Sequence, residues 1–324
     1  MKCYIFLDFW RGLYYNILEI RRLAGKTLIQ SGDKMSDKDL LQKHNFKFQK
    51  KYGQNFLYDP KIPAKIAENC TEGESCEGEK KSEVIVEIGP GAGILTKELA
   101  KRFMKVSAVE IDENLIPILA ESLADFDNAS VINKDIMQLD LKSFVKEITD
   151  DGKYPVSVCA NLPYYITTPV IMKLIEENCG FRYITVMVQK EVARRLCAKP
   201  ESADYGSITA EIGLYGSAVK LFDVPAGCFN PRPKVDSAVV RIKLDYPAKY
   251  SATDLKNAST LIKAAFGQRR KTLVNALSGL SGKIRTTDKQ KLACIISDTL
   301  GVSGDVRGEK LNSEQFVLLA RALF

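Results

Sequence analysis

The sequence predicts an α/β fold with a mostly parallel sheet, followed by a small all-helical domain. From Glu83 to Leu244, short runs rich in β-branched residues alternate with helical patterns, as in SEVIVEI followed by ILTKELAKRF. This alternation is typical of right-handed βαβ units, whose helices cover both faces of the sheet. After Leu244 only helical patterns remain, from DLKNASTLIKAAF to SEQFVLLARALF.

The predicted strands succeed one another along the α/β region. We expect SEVIVEI, VSAVEID, SVINKD, VSVCAN and ITVMV to form the series of mostly parallel strands. AVKLFDV and DSAVVRIKL have little helix between them and are expected to form an antiparallel hairpin at the sheet edge. The patterns divide the chain into an extension (1–40), an α/β domain (41–245) and a helical domain (246–324).

Basic residues are concentrated in two runs. The chain carries 47 Lys and Arg against 40 Asp and Glu, a net charge of +7. Lys43–Lys51 (KHNFKFQKK) and Lys263–Lys271 (KAAFGQRRK) each contain basic residues interleaved with Phe and no acid. Cations replace counterions on phosphates and rings stack on bases, so both runs suit nucleic acid. For either run alone, a solvated charged face is the alternative.

Composition excludes several classes of protein. The 8 cysteines contain no CxxC pair, which indicates reduced thiols and a cytoplasmic location. The single histidine, His44, excludes a His-rich zinc site, and we predict no metal.

The N-terminal run is apolar and aromatic. Asp8, Arg11 and Glu19 interrupt it, so it is too charged to span a membrane, and no cleavage pattern of a secretory signal follows. We interpret residues 1–34 as an upstream extension that does not belong to the native protein. An amphipathic helix at a membrane surface is the alternative.

A glycine-rich turn follows the first predicted strand of the series. In VEIGPGAG, Gly89 and Gly91 allow the backbone to approach a ligand, and a helix N-terminus comes next. Glu110 ends the following strand, where an acid can accept both ribose hydroxyls of a nucleoside cofactor. The pattern predicts nucleoside binding but does not separate NAD from S-adenosylmethionine.

A third strand end carries NKDIM. There Asp135 is placed to accept a hydrogen bond from the adenine amino group of the cofactor, and Ile111 and Ile136 can enclose the ring. A helix-capping Asp and two core isoleucines are the alternative interpretation of these residues.

The motif NLPY directly follows VSVCA and separates the candidate functions. An exocyclic adenine amine is a poor nucleophile, so a catalyst must hold its hydrogens with acceptors and expose its lone pair. The Asn161 side-chain oxygen and the Leu162 carbonyl can do this, while Pro163 stiffens the turn. Tyr164 can stack on the base, with Phe229 as a second aromatic face. The motif therefore predicts adenine N6-methylation with S-adenosylmethionine.

Six motifs in order resemble one family. They are YGQNFL, VEIGPGAGILT, VEID, NLPYYI, FNPRPKVDSAV and FGQRRKTLVNAL, from about residue 50 to the C-terminus. The chain thus resembles the ribosomal small-subunit RNA adenine dimethyltransferases associated with kasugamycin sensitivity. The resemblance implies a Rossmann-like methyltransferase domain that uses S-adenosylmethionine, with the helical domain recognising RNA.

The resemblance also implies a substrate and a set of site residues. The substrate is two adjacent adenosines in a hairpin loop near the 3′ end of 16S RNA, in a precursor of the small ribosomal subunit, and the enzyme is expected to be a monomer. Asn161, Leu162, Pro163, Tyr164 and Phe229 form the target-adenine pocket. The implied cofactor contacts are Asn55, Leu57, Gly89, Glu110, Asp135 and Asn161.

Candidate RNA contacts are the cations of the basic runs and of the FNPRPK motif. They are Lys47, Lys50, Lys51, Arg232, Arg269, Arg270 and Lys271. The erythromycin-resistance methyltransferases, which modify large-subunit RNA, are the nearest rival family, and FGQRRKTLVNAL argues against them. The sequence also leaves open a catalytically silent nucleic-acid-binding relative and a DNA adenine methyltransferase.

Overall fold

A computed structural model of the chain describes residues 37–49, 53–73, 79–245 and 248–324. The expectation for residues 1–34 therefore lies outside the described residues. The strands of the described part are β1 Phe56–Leu57, β2 Lys81–Ile88, β3 Phe103–Glu110, β4 Ala129–Asn133, β5 Val156–Asn161, β6 Phe181–Gln189, β7 Gly216–Val224, β8 Phe229–Asn230 and β9 Ser237–Leu244. The helices are α1 Asp37–Lys43, α2 Lys61–Asn69, α3 Ile94–Arg102, α4 Ile116–Ser122, α5 Leu141–Ile148, α6 Thr167–Glu176, α7 Lys190–Leu196, α8 Ser207–Tyr215, α9 Ala252–Gly267, α10 Leu273–Leu277, α11 Lys289–Leu300 and α12 Ser313–Leu323.

The main sheet has the strand order β4-β3-β2-β5-β6-β9-β7. The four pairings from β4 to β6 are parallel, as the alternating pattern predicts. At the β7 edge, Asp245 N donates to Tyr215 O at 2.8 Å, so the start of β7 lies beside the end of β9. This antiparallel arrangement confirms the predicted hairpin. A separate two-stranded sheet pairs β1 with β8.

The chain divides into two compact units. The first comprises the described residues up to Lys190 and Leu221–Arg241, and the second comprises Glu191–Lys220 and Ile242–Phe324. The second unit thus begins earlier in the chain than the boundary predicted at residue 246. The physical reason is that Tyr205 and Leu214 pack into its hydrophobic core with residues of α9 and α12.

Side-chain caps mark the starts of two helices. Asp140 caps α5 by accepting from Ser143 N at 3.1 Å, and the helix buries Leu141, Phe144 and Val145 on one face. Asn312 caps α12 through a capping box with Gln315. Within the part of the chain that the structure describes, we find no helix with the length and apolar character needed to cross a membrane.

Candidate active site

The candidate site lies in the first unit, at the carboxyl ends of four parallel strands. The register places Ile88 of β2 beside Val109 of β3 and Ala160 of β5, and Glu110 beside Asn133 of β4. Because these strands end at one edge, the loops that follow them converge there. They surround a cavity of about 280 Å³. Its lining includes Gly53, Gln54, Asn55, Phe56, Gly89, Gly91, Glu110, Ile111, Lys134, Asp135, Ile136, Met137, Asn161, Leu162, Pro163, Tyr164, Tyr165 and Phe229.

The glycine turn brings backbone against the cavity. Gly89 N donates to Val109 O at 3.0 Å, which ties the turn to β3. Gly91 has φ +60°, and a Cβ there would lie 3.1 Å from the Phe56 ring. A larger residue would therefore be strained and would press on that ring. The turn leads into the N-terminus of α3 at Ile94, whose free N–H groups favour polar or anionic ligand groups.

Glu110 connects the end of β3 to the glycine turn. Its Oε2 accepts from Gly91 N at 3.3 Å, and its Oε1 accepts from Asp112 N at 2.8 Å. The side chain is buried, and this burial raises the pKa of Glu110 to about 7. Each oxygen still has acceptor capacity, so the carboxylate can accept from the two hydroxyls of a ribose.

Glu87, just before the glycine turn, is a buried acid that sequence reasoning missed. Its Oε2 has no hydrogen-bond partner within the described residues, and burial raises the pKa of Glu87 to about 8, with the nearby Glu110 adding to the effect. A buried polar atom without a partner costs free energy unless a ligand satisfies it. Glu87 lines a second cavity of about 810 Å³, which shares Gly89, Gly91 and further lining residues with the first.

Asp112, the last residue of the VEID motif, binds two glutamine side chains that precede β1. Its carboxylate accepts from Gln54 Nε2 at 2.8 Å and from Gln49 Nε2 at 3.1 Å. Asn55 follows, and its backbone oxygen accepts from Asn161 Nδ2 at 3.4 Å. Buried Asp112 thus fixes residues that wall the cavity, a role that the sequence pattern alone does not reveal because the partners are about 60 positions away.

The residues predicted to contact the adenine of the cofactor, Ile111, Asp135 and Ile136, line the first cavity. Ile111 is exposed, whereas Ile136 is buried. Asp135 Oδ1 accepts from Met137 N at 2.8 Å, a local turn that holds the carboxylate in place. Met137 also lines the cavity and is 40% exposed, so a flat ring entering here would meet apolar side chains and one carboxylate.

Asn161 ends β5, Leu162, Pro163 and Tyr164 follow it, and all four residues line the first cavity. Asn161 uses its Nδ2 in the contact with Asn55, and no described residue donates to its Oδ1. Leu162 is buried, and Pro163 O accepts from Ile166 N at 3.2 Å, which closes a turn before α6. Tyr164 is half-buried, and its hydroxyl lies 2.9 Å from Ser237 Oγ.

Phe229 lies in the short sheet that brings two distant segments to the site. It pairs with Leu57 across β1 and β8, and it lines both cavities. Leu57 itself lines only the second cavity and packs in the hydrophobic core, so the structure does not bring it to the first cavity with the other predicted cofactor residues. Tyr58, which sequence reasoning missed, donates from its hydroxyl to Gly227 O at 2.5 Å while its ring stays 61% exposed.

Two of the predicted RNA contacts of the first unit lie among the described residues. Arg232 is exposed and lines the second cavity, and Lys47 is exposed. Lys50 and Lys51 lie outside the residues that the structure describes.

In the second unit, the three predicted basic residues have different surroundings. Arg269 Nε donates to Glu309 Oε2 at 3.0 Å, and its Nη2 donates to the carbonyl oxygens of Ala203 and Tyr205 at 3.1 and 2.9 Å. Arg269 therefore connects segments of its own unit, and its contact with RNA stays a prediction. Arg270 and Lys271 are exposed, and no described side chain pairs with them.

Comparison with known proteins gives a consistent result. The family model described as ribosomal RNA adenine dimethylase matches residues 45–322. The chain is 42% identical over 288 residues to the ribosomal RNA small subunit methyltransferase A of Bacillus licheniformis, covering 88% of this chain and 94% of that protein. It is 41% identical to the protein of the same name from Clostridioides difficile, with the same coverage.

Solved structures share the fold. The crystal structure of the 23S rRNA methyltransferase ErmE aligns with a TM-score of 0.60 at 25% identity, over 83% of this chain and 99% of that chain. A dimethyladenosine transferase from Plasmodium falciparum aligns with a TM-score of 0.65 at 24% identity, over 82% and 95% of the two chains.

Proposed function

Because the chain belongs to the ribosomal RNA adenine dimethylase family, we propose that it dimethylates N6 of two adjacent adenosines near the 3′ end of 16S RNA. The methyl donor would be S-adenosylmethionine, and the substrate would be a precursor of the small ribosomal subunit late in its assembly. The cytoplasm, where subunits are assembled, would be the site of action, and the enzyme would act as a monomer.

One observation carries this proposal. A single cavity contains the glycine turn and Glu110, which suit a nucleoside cofactor, together with Asn161 and Tyr164, which suit an adenine amine. These groups come from different strand ends, so their meeting is a property of the fold rather than of one motif.

The residues present fit S-adenosylmethionine. The cofactor supplies an electrophilic methyl group on a sulfonium, together with an adenosine and an α-amino acid group. Glu110 would accept from the ribose hydroxyls, and Asp135 from the adenine amine. Glu87 Oε2 is buried and without a partner among the described residues, so it is available to a polar ligand group near the glycine turn. A side chain at Gly91 would press on Phe56, which lines the same cavity.

The chain's own groups would prepare the target amine. Asn161 Oδ1 accepts no hydrogen bond from a described residue and would accept from one amino hydrogen of the target base. The Leu162 carbonyl would accept from the other, since Pro163 has no N–H with which to compete. With both hydrogens held, the nitrogen lone pair is less delocalised into the ring. Tyr164 and Phe229 would enclose the base that leaves its stack.

The small subunit is the better supported substrate. The relatives at 41–42% identity carry the name small subunit methyltransferase, whereas the 23S enzyme ErmE is 25% identical. We therefore assign recognition of the RNA to exposed cations, among them Arg232 of the first unit and Arg270 and Lys271 of the second. Phosphate contacts of this kind fix the register of an RNA without reading its bases.

The experiment that tests the proposal compares three acceptors. Labelled S-adenosylmethionine is incubated with undermethylated small subunits, with large-subunit RNA and with duplex DNA. We expect label in the small subunit alone. Label in large-subunit RNA would instead support the erythromycin-resistance type of activity, and tight binding without label would support a silent binding protein.

A further inference from the structure

The two aromatic walls of the proposed adenine pocket come from distant parts of the chain. Tyr164 follows β5, and Phe229 begins β8. A stacking wall is useful only if its ring is held in one orientation, because a loose side chain loses rotamer freedom when the base enters. The neighbouring residues Asp236 and Ser237 make hydrogen bonds that act on these two walls.

Ser237 is hydrogen-bonded to the first wall, Tyr164. It is the first residue of β9, is fully buried, and its Oγ lies 2.9 Å from the Tyr164 hydroxyl. The contact spans 73 residues of sequence. Burial raises the pKa of Tyr164, so the phenol keeps its proton and can take part in this hydrogen bond over the physiological range.

Asp236, the residue before Ser237, is hydrogen-bonded to the turn that leads to the second wall, Phe229. Its Oδ1 accepts from Ala226 N at 2.9 Å, at the start of the 3-10 turn Ala226–Cys228 that leads directly into Phe229. The backbone oxygen of Asp236 accepts from Lys190 N at 3.0 Å, which anchors the acid at the end of β6. Asp236 is thus bound to the end of the sheet through its backbone oxygen and to the turn through its exposed carboxylate.

We propose that Asp236 and Ser237 are positioning residues that set the two aromatic walls of the adenine pocket through hydrogen bonds to Ala226 and Tyr164. The inference rests on the proposed function, because it assigns these residues to the adenine site. Neither residue is a catalytic residue, since Ser237 acts on the base only through the Tyr164 ring and Asp236 only through the turn. Their loss should therefore slow transfer more than it weakens RNA or cofactor binding.

A double-mutant cycle tests the Ser237 contact. Ser237→Ala and Tyr164→Phe each remove one partner of the same hydrogen bond, and Ser107→Ala is the matched control, a buried serine in β3 of the same sheet. Single-turnover methyl transfer to undermethylated small subunits should fall about tenfold in Ser237→Ala, the effect of one well-placed hydrogen bond. It should fall no further in the double variant. KM and the melting temperature should stay near those of Ser107→Ala.

A spectroscopic readout separates positioning from folding. A synthetic hairpin with 2-aminopurine at the target position should be quenched when its base stacks between the rings, and Ser237→Ala and Asp236→Ala should reduce this quenching. Unchanged quenching and rate in both variants, or additive losses in the cycle, would overturn the positioning role. If wild-type protein transfers no methyl group to small subunits, the proposed function itself fails. Tyr164 lies outside the strands of the sheet. If Ser237→Ala does not fold, Tyr164→Phe therefore still tests the same hydrogen bond.

Discussion

The Glu110 carboxylate accepts a hydrogen bond from the backbone nitrogen of Gly91 at 3.3 Å, which joins the end of β3 to the glycine turn after β2. The two motifs that sequence reasoning treats as separate signals are therefore one structural unit. Binding of a ribose to Glu110 and approach of a ligand to the turn should be coupled, since movement of either would break this contact.

Glu110 should make cofactor affinity depend on pH. Burial raises the pKa of Glu110 to about 7, and only the ionised form accepts from both ribose hydroxyls. Affinity for S-adenosylmethionine should therefore rise between about pH 6 and pH 8. Glu110→Gln should weaken binding about tenfold at pH 8 and flatten this pH dependence. Calorimetric titration measures both effects, and the exposed Glu113→Gln is the control. A variant that binds with the wild-type profile would contradict the assignment.

Glu87 should reduce stability at high pH. Its pKa is about 8 in the folded protein against an ordinary value of 4.5, so between these values the folded protein holds a proton that the unfolded chain has lost. The free energy of unfolding must then fall as pH rises through this window. Urea denaturation of the cofactor-free protein at about pH 6 and pH 8 should show a loss of unfolding free energy that Glu87→Gln reduces by about 2 kcal/mol. Equal pH dependence in wild type, Glu87→Gln and the surface control Glu113→Gln would argue against a neutral Glu87.

Arg269 and Arg270 should have different roles despite being adjacent. Arg269→Ala removes the Glu309 ion pair and two hydrogen bonds to backbone carbonyls, so it should lower stability by about 1–2 kcal/mol. Arg270→Ala removes an exposed cation and should leave stability unchanged. It should instead weaken RNA binding and reduce the salt dependence by about one counterion. Thermal denaturation and salt-dependent binding distinguish the two, and a loss of stability in Arg270→Ala would contradict this division.

The sequence predicts the fold and the walls of the site because these signals are local. Gly89, Glu110 and Asn161 each stand at or directly after the end of a recognisable strand, and parallel strands place such positions at one edge. The antiparallel hairpin follows in the same way from two neighbouring β-rich runs.

Contacts between distant residues are not predictable from such local signals. The pairing of Ser237 with Tyr164 depends on the position of β9 in the sheet, and the hydrogen bonds of Asp112 depend on where Gln49 and Gln54 lie. The partners of Arg269 are not predictable for a related reason. A basic run shows its charge in sequence, but it does not show which of its members is used by a carboxylate such as Glu309.

The most direct test of the account is nucleoside analysis of undermethylated small subunits treated with S-adenosylmethionine and either wild-type protein or Asn161→Ala. We predict N6,N6-dimethyladenosine at two adjacent positions of 16S RNA with the wild-type protein. Asn161→Ala should fold and bind RNA normally but yield no methylated adenosine, because one acceptor for the target amine is lost. Full activity of Asn161→Ala, or a wild-type product in another RNA, would contradict the account.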